Sequence, residues 1–225
     1  MSKIMVTGGA SGLGAAIAAQ LALEGHAVHI FDVKDGNDVR CPELGGAPPA
    51  DLDILINCAG INLTGWLEGV SEAQFDCVMD VNAKGIFKMT QWLLPALTSS
   101  RGTILNIVSN ASHMPMTTSL AYNASKAAAH IMTLQLAREL TKKNGITVFG
   151  ISPNKLAGTE MSRKIEEQVV ATRGWTAEYA RQYQLNALPA GAETPPELVA
   201  EFIAFLLQDK EHHRYLTGTV IPYGA

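Results

Sequence analysis

The sequence predicts an α/β protein built on one doubly wound parallel sheet with helices on both faces, its edge beyond the second strand shortened. Apolar runs of strand length alternate with stretches of helical periodicity, and several strands are apolar almost throughout, the pattern of a sheet buried on both faces. A glycine-rich turn, Thr7-Gly8-Gly9-Ala10-Ser11-Gly12-Leu13-Gly14, follows the first strand directly and opens the first helix, the setting in which such turns hold a dinucleotide. The shortening is read from the 24 residues between Asp32 and Asn57, which include Pro42, Gly45, Gly46, Pro48 and Pro49. Parallel crossovers need about a dozen residues each, so one full helix-strand-helix excursion does not fit.

Taken in order, Ile4 to Thr7 reads as a strand, Gly12 to Glu24 as a helix, and Ala27 to Asp32 as a strand whose Val28, Ile30 and Phe31 favour the pleat. Together they form a βαβ unit of the Rossmann type. Asp53 to Asn57 is a further strand, Ser71 to Leu97 a long helical region, and Thr103 to Val108 a strand. Leu120 to Lys143 reads as a helix and Ile146 to Ile151 as a strand. In the last helix Leu198, Val199, Phe202, Ile203, Leu206 and Leu207 recur at helical spacing, and Thr194-Pro195-Pro196-Glu197 supplies a start signal with Thr194 as cap. A final strand lies near Thr219 to Ile221.

A chain of 225 residues suits a single dinucleotide-binding domain with one core. The net charge of -4 offers no footprint for nucleic acid or an anionic membrane. No apolar run approaches about 18 residues, and the start lacks the pattern of a signal peptide. Cys41, Cys58 and Cys77 form no CxxC pair, which fits a reducing, cytoplasmic setting. The six histidines show no metal-ligand spacing, so no metal is expected.

Within the glycine-rich turn, Gly8 lets the chain leave the strand sharply, Gly12 removes a side chain where backbone must approach a pyrophosphate, and Gly14 permits close packing of helix on sheet. Free amides at the helix start, around Ser11 and Leu13, face the anion. Asp32 ends the second strand, where a carboxylate accepts hydrogen bonds from adenosine ribose hydroxyls. Such a carboxylate repels a 2′-phosphate, and Ser11 and Val33 stand where a compensating arginine is sought, so NAD is the expected cofactor. The competing reading of Asp32 is a solvated turn residue, and Lys34 is the one nearby cation that softens the discrimination.

Tyr122 and Lys126 lie four residues apart at the start of a helix and so share a face. A phenol titrating near 10 is a poor proton carrier at neutral pH, whereas a neighbouring ammonium favours its ionised form. Ser109 ends the preceding strand, where its hydroxyl can meet a substrate oxygen. Ser112 is its rival, three residues further on.

These residues resemble the short-chain dehydrogenase/reductase family, in its short branch with the TGxxxGxG spacing. The resemblance is carried by the glycine-rich turn, Asn57-Cys58-Ala59-Gly60 after a central strand, Asn82, Ser109 after Ile104-Leu105-Asn106-Ile107-Val108, Tyr122-Asn123-Ala124-Ser125-Lys126, and Leu216-Thr217-Gly218 near the end. It implies that Tyr122 donates or accepts the proton, that Ser109 orients the carbonyl or hydroxyl, that Lys126 holds the nicotinamide ribose and lowers the Tyr122 pKa, and that Asn82 holds a relay water. The alternative for Asn82 is a helix-kink residue with its hydrogen bonds satisfied.

Asn57, Ala59 and Gly60 are implied to line the cofactor cleft, and Asp38-Val39 to reach the adenine. The family's Pro-Gly reads Pro153-Asn154 here, with Asn154 expected to supply the left-handed turn. Leu156 and a displaced Thr159 follow as cofactor contacts. The resemblance further implies a homo-oligomer, a tetramer or dimer, acting on a small-molecule alcohol or ketone. Residues 161–189 are expected to form a substrate lid of two helices broken near Arg173-Gly174. The lid charges, Arg163, Lys164, Arg173 and Arg181 against Glu160, Glu166, Glu167 and Glu178, nearly cancel. Two other functions share these motifs: a catalytically silent NAD-binding sensor, and lyase or epimerase chemistry, the latter disfavoured by the short substrate region.

Overall fold

Alternation along each strand sorts its side chains onto two faces. In β1 (Lys3–Thr7) Ile4 and Val6 enter one core and Met5 the other. The same division runs through β3 (Ile54–Asn57), β4 (Thr103–Ile107) and β5 (Thr147–Pro153), which are buried along their whole lengths. With β2 (Ala27–Phe31) and β6 (Val220–Tyr223) they make one six-stranded parallel sheet, ordered β2-β1-β3-β4-β5-β6. The computed structural model describes residues 1–224.

One face is covered by α1 (Gly12–Leu23) through Leu13, Ile17 and Leu21, and by α7 (Pro196–Leu207) through Val199, Ile203 and Leu207. The other is covered by α3 (Gly85–Ser100) through Met89, Leu93 and Leu97, and by α4 (Leu120–Asn144) through Ala137 and Leu140. Full burial of each large apolar side chain contributes about 1.5–3 kcal/mol. The doubly wound architecture follows from two apolar faces that must both be covered.

The shortened edge is present as expected. Between β2 and β3 the chain makes only two short 3-10 turns, Val33–Asp35 and Pro42–Gly45, and β2 borders the sheet. Val39 and Leu52 close the core beneath this span, and a Cβ at Gly85 would lie 2.9 Å from a Val39 methyl.

Four details differ from expectation. The region 71–97 is not one helix: α2 (Glu72–Met79) and α3 are joined by a wider π-type turn, Asp80–Lys84. Thr194 does not cap α7. Its backbone bridges Leu156 in strand fashion, and Pro195 takes the cap position. Asn154 is not left-handed, since among the described residues Arg101 and Thr118 are the non-glycine residues with positive φ. Its side chain instead donates to the Gly224 carbonyl at 2.7 Å and accepts from the Lys155 amide at 2.9 Å. A short helix, α8 (Lys210–His213), precedes the last strand.

Candidate active site

Strands β1 to β5 all end on the same side of the sheet, where the crossover loops converge. At β1, Thr7 Oγ1 accepts the amides of Cys58 at 3.0 Å and Ala59 at 3.1 Å, pinning the β3 exit against the glycine-rich turn. A Cβ at Gly8 would lie 2.8 Å from Ala59 Cα, and one at Gly14 would lie 2.1 Å from the Gly8 carbonyl oxygen. Both positions therefore demand glycine on packing grounds.

Gly12 is different. Its φ is +53°, and a Cβ there would meet nothing nearer than 3.7 Å. The space in front of it opens into a cavity of about 470 Å³ lined by Ala157, Gly158, Thr159, Glu160 and Pro195–Glu197. Ser11 holds the cap position of α1 without bonding back to the helix, which leaves the first amides unspent. Asp32 lies beside the turn, 6% exposed, its two oxygens accepting the amides of Ala10 at 3.0 Å and Lys34 at 2.9 Å. Each oxygen keeps a second lone pair for a ribose hydroxyl. Asn57 Nδ2 donates to Asn106 at 2.9 Å, while its Oδ1 is buried without a partner, an acceptor with capacity to spare.

Those free amides, the open space at Gly12 and the orphan Asn57 oxygen fit a dinucleotide along this cleft. Pro153 is buried beside it. Thr159 sits across from Gly12 and caps α5 (Glu160–Arg173), accepting the Ser162 amide at 3.0 Å. Gly158, with φ +63°, turns the chain immediately before Thr159. Leu156 packs against the core on the α1 side. Asp38 chelates its neighbour Arg40, whose guanidinium holds the Asp38 carboxyl below its ordinary range, and the Val39 side chain is buried in the core.

At the other end of the cleft, Lys126 Nζ donates to the Ile107 carbonyl at 2.9 Å and lies 5.8 Å from the Tyr122 ring centre. Burial draws the ammonium down to about 8, partly opposed by the neighbouring Cys58. The Tyr122 phenol is pushed up by burial, while a hydrogen bond from Ser109 works the other way. Burial is the larger of these two effects on Tyr122, so its phenol is held above the ordinary range. Desolvation pushes the half-buried Cys58 thiol up to about 12, away from the thiolate a nucleophile needs.

Asn82 stands in the π-type turn, 1% exposed. It accepts the Ile61 amide at 2.8 Å and donates to the Ile61 carbonyl and to Ser125 Oγ, both at 2.9 Å. The wider turn is what aims this side chain across the cleft. A Cβ at Gly60 would meet Asn82 Oδ1 at 3.4 Å and Lys126 Nζ at 3.7 Å, so Gly60 keeps that junction open. Ser112 turns away, toward His113 and His130, leaving Ser109 as the hydroxyl beside Tyr122. Sequence reading missed Lys155, which joins Glu166 at 2.7 Å and Glu193 at 2.6 Å and also reaches Gln184, tying together the segments around α5, α6 (Ala177–Asn186) and α7.

Fold and cleft define a dinucleotide-binding protein with a Ser-Tyr-Lys-Asn cluster at one end. The family model described as short chain dehydrogenase matches residues 47–170. A 3-oxoacyl-[acyl-carrier-protein] reductase of Thermotoga maritima is 31% identical, covering 96% of this chain and 94% of its own. A sorbitol-6-phosphate 2-dehydrogenase of Klebsiella pneumoniae is 30% identical over 96% and 91%. A solved protein of Agrobacterium tumefaciens with bound NADP, described as a putative 2-deoxy-D-gluconate 3-dehydrogenase, is 28% identical, with a TM-score of 0.80 over 98% and 94% of the two chains. The chain belongs to the short-chain dehydrogenase family of oxidoreductases, whose members use a nicotinamide cofactor. The Thermotoga alignment runs to 245 positions, more than the 225 residues here, in keeping with a shortened chain.

Proposed function

We propose that this protein is an NAD(H)-dependent oxidoreductase that interconverts a secondary alcohol and a ketone, with Tyr122 as acid and base. The observation that carries the proposal is the meeting of Ser109, Tyr122, Lys126 and Asn82 at the end of a cleft whose far end is the open, uncapped start of α1.

The glycine-rich turn at Gly8, Ser11, Gly12, Leu13 and Gly14 would hold the pyrophosphate, Asp32 the adenosine ribose, and Asn57, Ala59, Gly60, Pro153, Leu156 and Thr159 the nicotinamide half. Bound nicotinamide supplies the acceptor or donor of the hydride. Ser109 holds the substrate oxygen by a hydrogen bond. In alcohol oxidation the Tyr122 phenolate takes the hydroxyl proton as the carbinol carbon gives up its hydride, and in ketone reduction the Tyr122 phenol returns it. Lys126 stabilises the phenolate and reaches the ribose hydroxyls, and Asn82 anchors a water through which Tyr122 exchanges protons with solvent. Asp32 supports NAD over NADP, because its buried carboxylate would face a 2′-phosphate at short range.

The helices α5 and α6 follow β5, and we read them as a lid across the mouth of the cleft that selects a small to medium polar substrate. The silent-sensor reading has no observation in its favour. Absorbance at the reduced nicotinamide band decides between them. NAD with sorbitol, gluconate or cyclohexanol, and NADH with ethyl acetoacetate, form the panel. Turnover of at least one compound is expected, whereas NADH binding without turnover across a wider panel would overturn the enzymatic reading.

A further inference from the structure

Among the described residues, two of the four cations in 161–189 are paired with carboxylates, Lys164 with Glu160 and Arg163 with Glu167, and Lys155 ahead of them is paired with Glu166 and Glu193. Arg173, the last residue of α5, is not. Its guanidinium lies 4.7 Å from the Trp175 ring centre and 5.9 Å from that of Tyr183, and it donates from Nη2 to the Thr117 carbonyl at 2.6 Å. Its Nε is buried without an acceptor among the described residues.

The carbonyl it holds belongs to a strained turn. Thr118 has φ +67°, a left-handed conformation that a β-branched residue rarely adopts. Its own hydroxyl donates to the same Thr117 carbonyl, and its carbonyl accepts the Gly65 amide at 2.8 Å. Four residues after Thr118 comes Tyr122. The lid is stitched to the Gly65 loop as well, by Trp66 Nε1 to the Thr172 carbonyl at 3.1 Å and by Thr64 to Gln168 at 3.2 Å.

We infer that Arg173 is a positioning residue: by clasping the Thr117–Thr118 turn it ties closure of the lid to the placement of Tyr122 at the start of α4. The inference rests on the assignment of Tyr122 as acid and base. The clasped state carries two local penalties, the turn at Thr118 and the orphan Nε, so lid and turn let go together when the bond to Thr117 breaks. A planar guanidinium packed beside the Trp175 and Tyr183 rings and bonded to a carbonyl is fixed in direction, which an ammonium on a flexible stem does not reproduce.

The test compares wild type, Arg173→Met, Arg173→Lys and Thr118→Gly. Hydrogen exchange in the ligand-free protein is expected to show residues 113–121 and 160–176 losing protection about tenfold in Arg173→Met, with β4 and β5 unchanged. NADH affinity should stay within about threefold. With the panel ketone that wild type reduces, kcat should fall about tenfold or more with a smaller change in KM, and the apparent pKa of the pH–rate profile should move.

Arg173→Lys should recover part of both effects. Thr118→Gly, which suits a left-handed backbone, should raise the thermal midpoint and keep residues 160–176 protected. Unchanged exchange at residues 113–121 in Arg173→Met, or kcat within about twofold of wild type, would overturn the clasp. Absence of turnover in the wild type would instead strike at the proposed function, and the exchange measurement would still decide the clasp.

Discussion

Tyr122 and Lys126 pull in opposite electrostatic directions in the ligand-free protein. Burial raises the phenol and draws the ammonium down to about 8, so at neutral pH Tyr122 is held as the phenol while Lys126 keeps most of its charge. The Tyr122 hydroxyl and the Lys126 charge are therefore the groups whose removal sets the expected outcome of substitution. Tyr122→Phe removes one hydroxyl and little packing, so turnover should vanish while NADH titration by fluorescence gives a near-normal Kd. Lys126→Ala should lose both. Tyrosine-variant activity within about tenfold of wild type would refute the proton-transfer role. Asp32 carries the second residue-level expectation. NAD should be preferred over NADP by at least about tenfold to a hundredfold in kcat/KM, and Asp32→Ala should shrink the gap. Equal values in the wild type would sink the NAD assignment. These positions were legible in the sequence because their chemistry needs local spacing: a turn between strand and helix, or two side chains four apart on one helix. The direction of the Tyr122 shift was not legible, since it depends on burial contributed by the whole fold.

Between elements, local pattern stops being sufficient. Hydrophobic periodicity ran without interruption through 71–97 and concealed the π-type turn, because the benefit of that turn lies in contacts of Asn82 with Ile61 and Ser125, 21 and 43 residues away. Thr194 read as a cap for the same reason: its competing partner, Leu156, is remote in sequence. The lid helices were legible because Gly174, with φ +66°, breaks them where a glycine should, and their function remains for experiment. Amides in residues 161–189 should gain protection from hydrogen exchange on NAD binding, and equal protection with and without NAD would rule out a lid. His213 supplies an expectation about pH. It ends α8, is 3% exposed, and meets Thr103 Oγ1 of β4 through Nε2 at 2.9 Å, with its Nδ1 orphaned. Burial holds its pKa below 6.5. The folded state thus prefers the neutral ring, and this contribution is intact above pH about 6.5 and lost as pH falls through and below that value. Urea titrations should show stability declining from pH 7 to 5, with a shallower decline in His213→Gln. Identical slopes would assign the acid sensitivity to other groups.

At the scale of the whole molecule, two covered faces leave two outer surfaces. On one, the outward sides of α3 and α4 expose Phe87 at 50% and Ile131 at 61%. On the other, α7 exposes Leu198 at 47% and Phe205 at 66%. Single exposed apolar residues are ordinary, and we read these two pairs, one on each outer surface, as contact surfaces. Because α3 and α4 lie on the opposite side of the sheet from α7, the two pairs cannot serve one interface. Two distinct self-complementary contacts, each about a two-fold axis, generate a closed assembly of four chains, whereas one contact stops at two. We therefore expect a homotetramer. Ile131→Glu and Phe205→Glu, each placing a charge on one surface only, should each reduce the tetramer to a dimer. The double variant should be a monomer that still binds NADH, since neither residue touches the cleft. Light scattering at micromolar concentration reads the mass directly, and a wild-type mass of one chain would refute both interfaces at once.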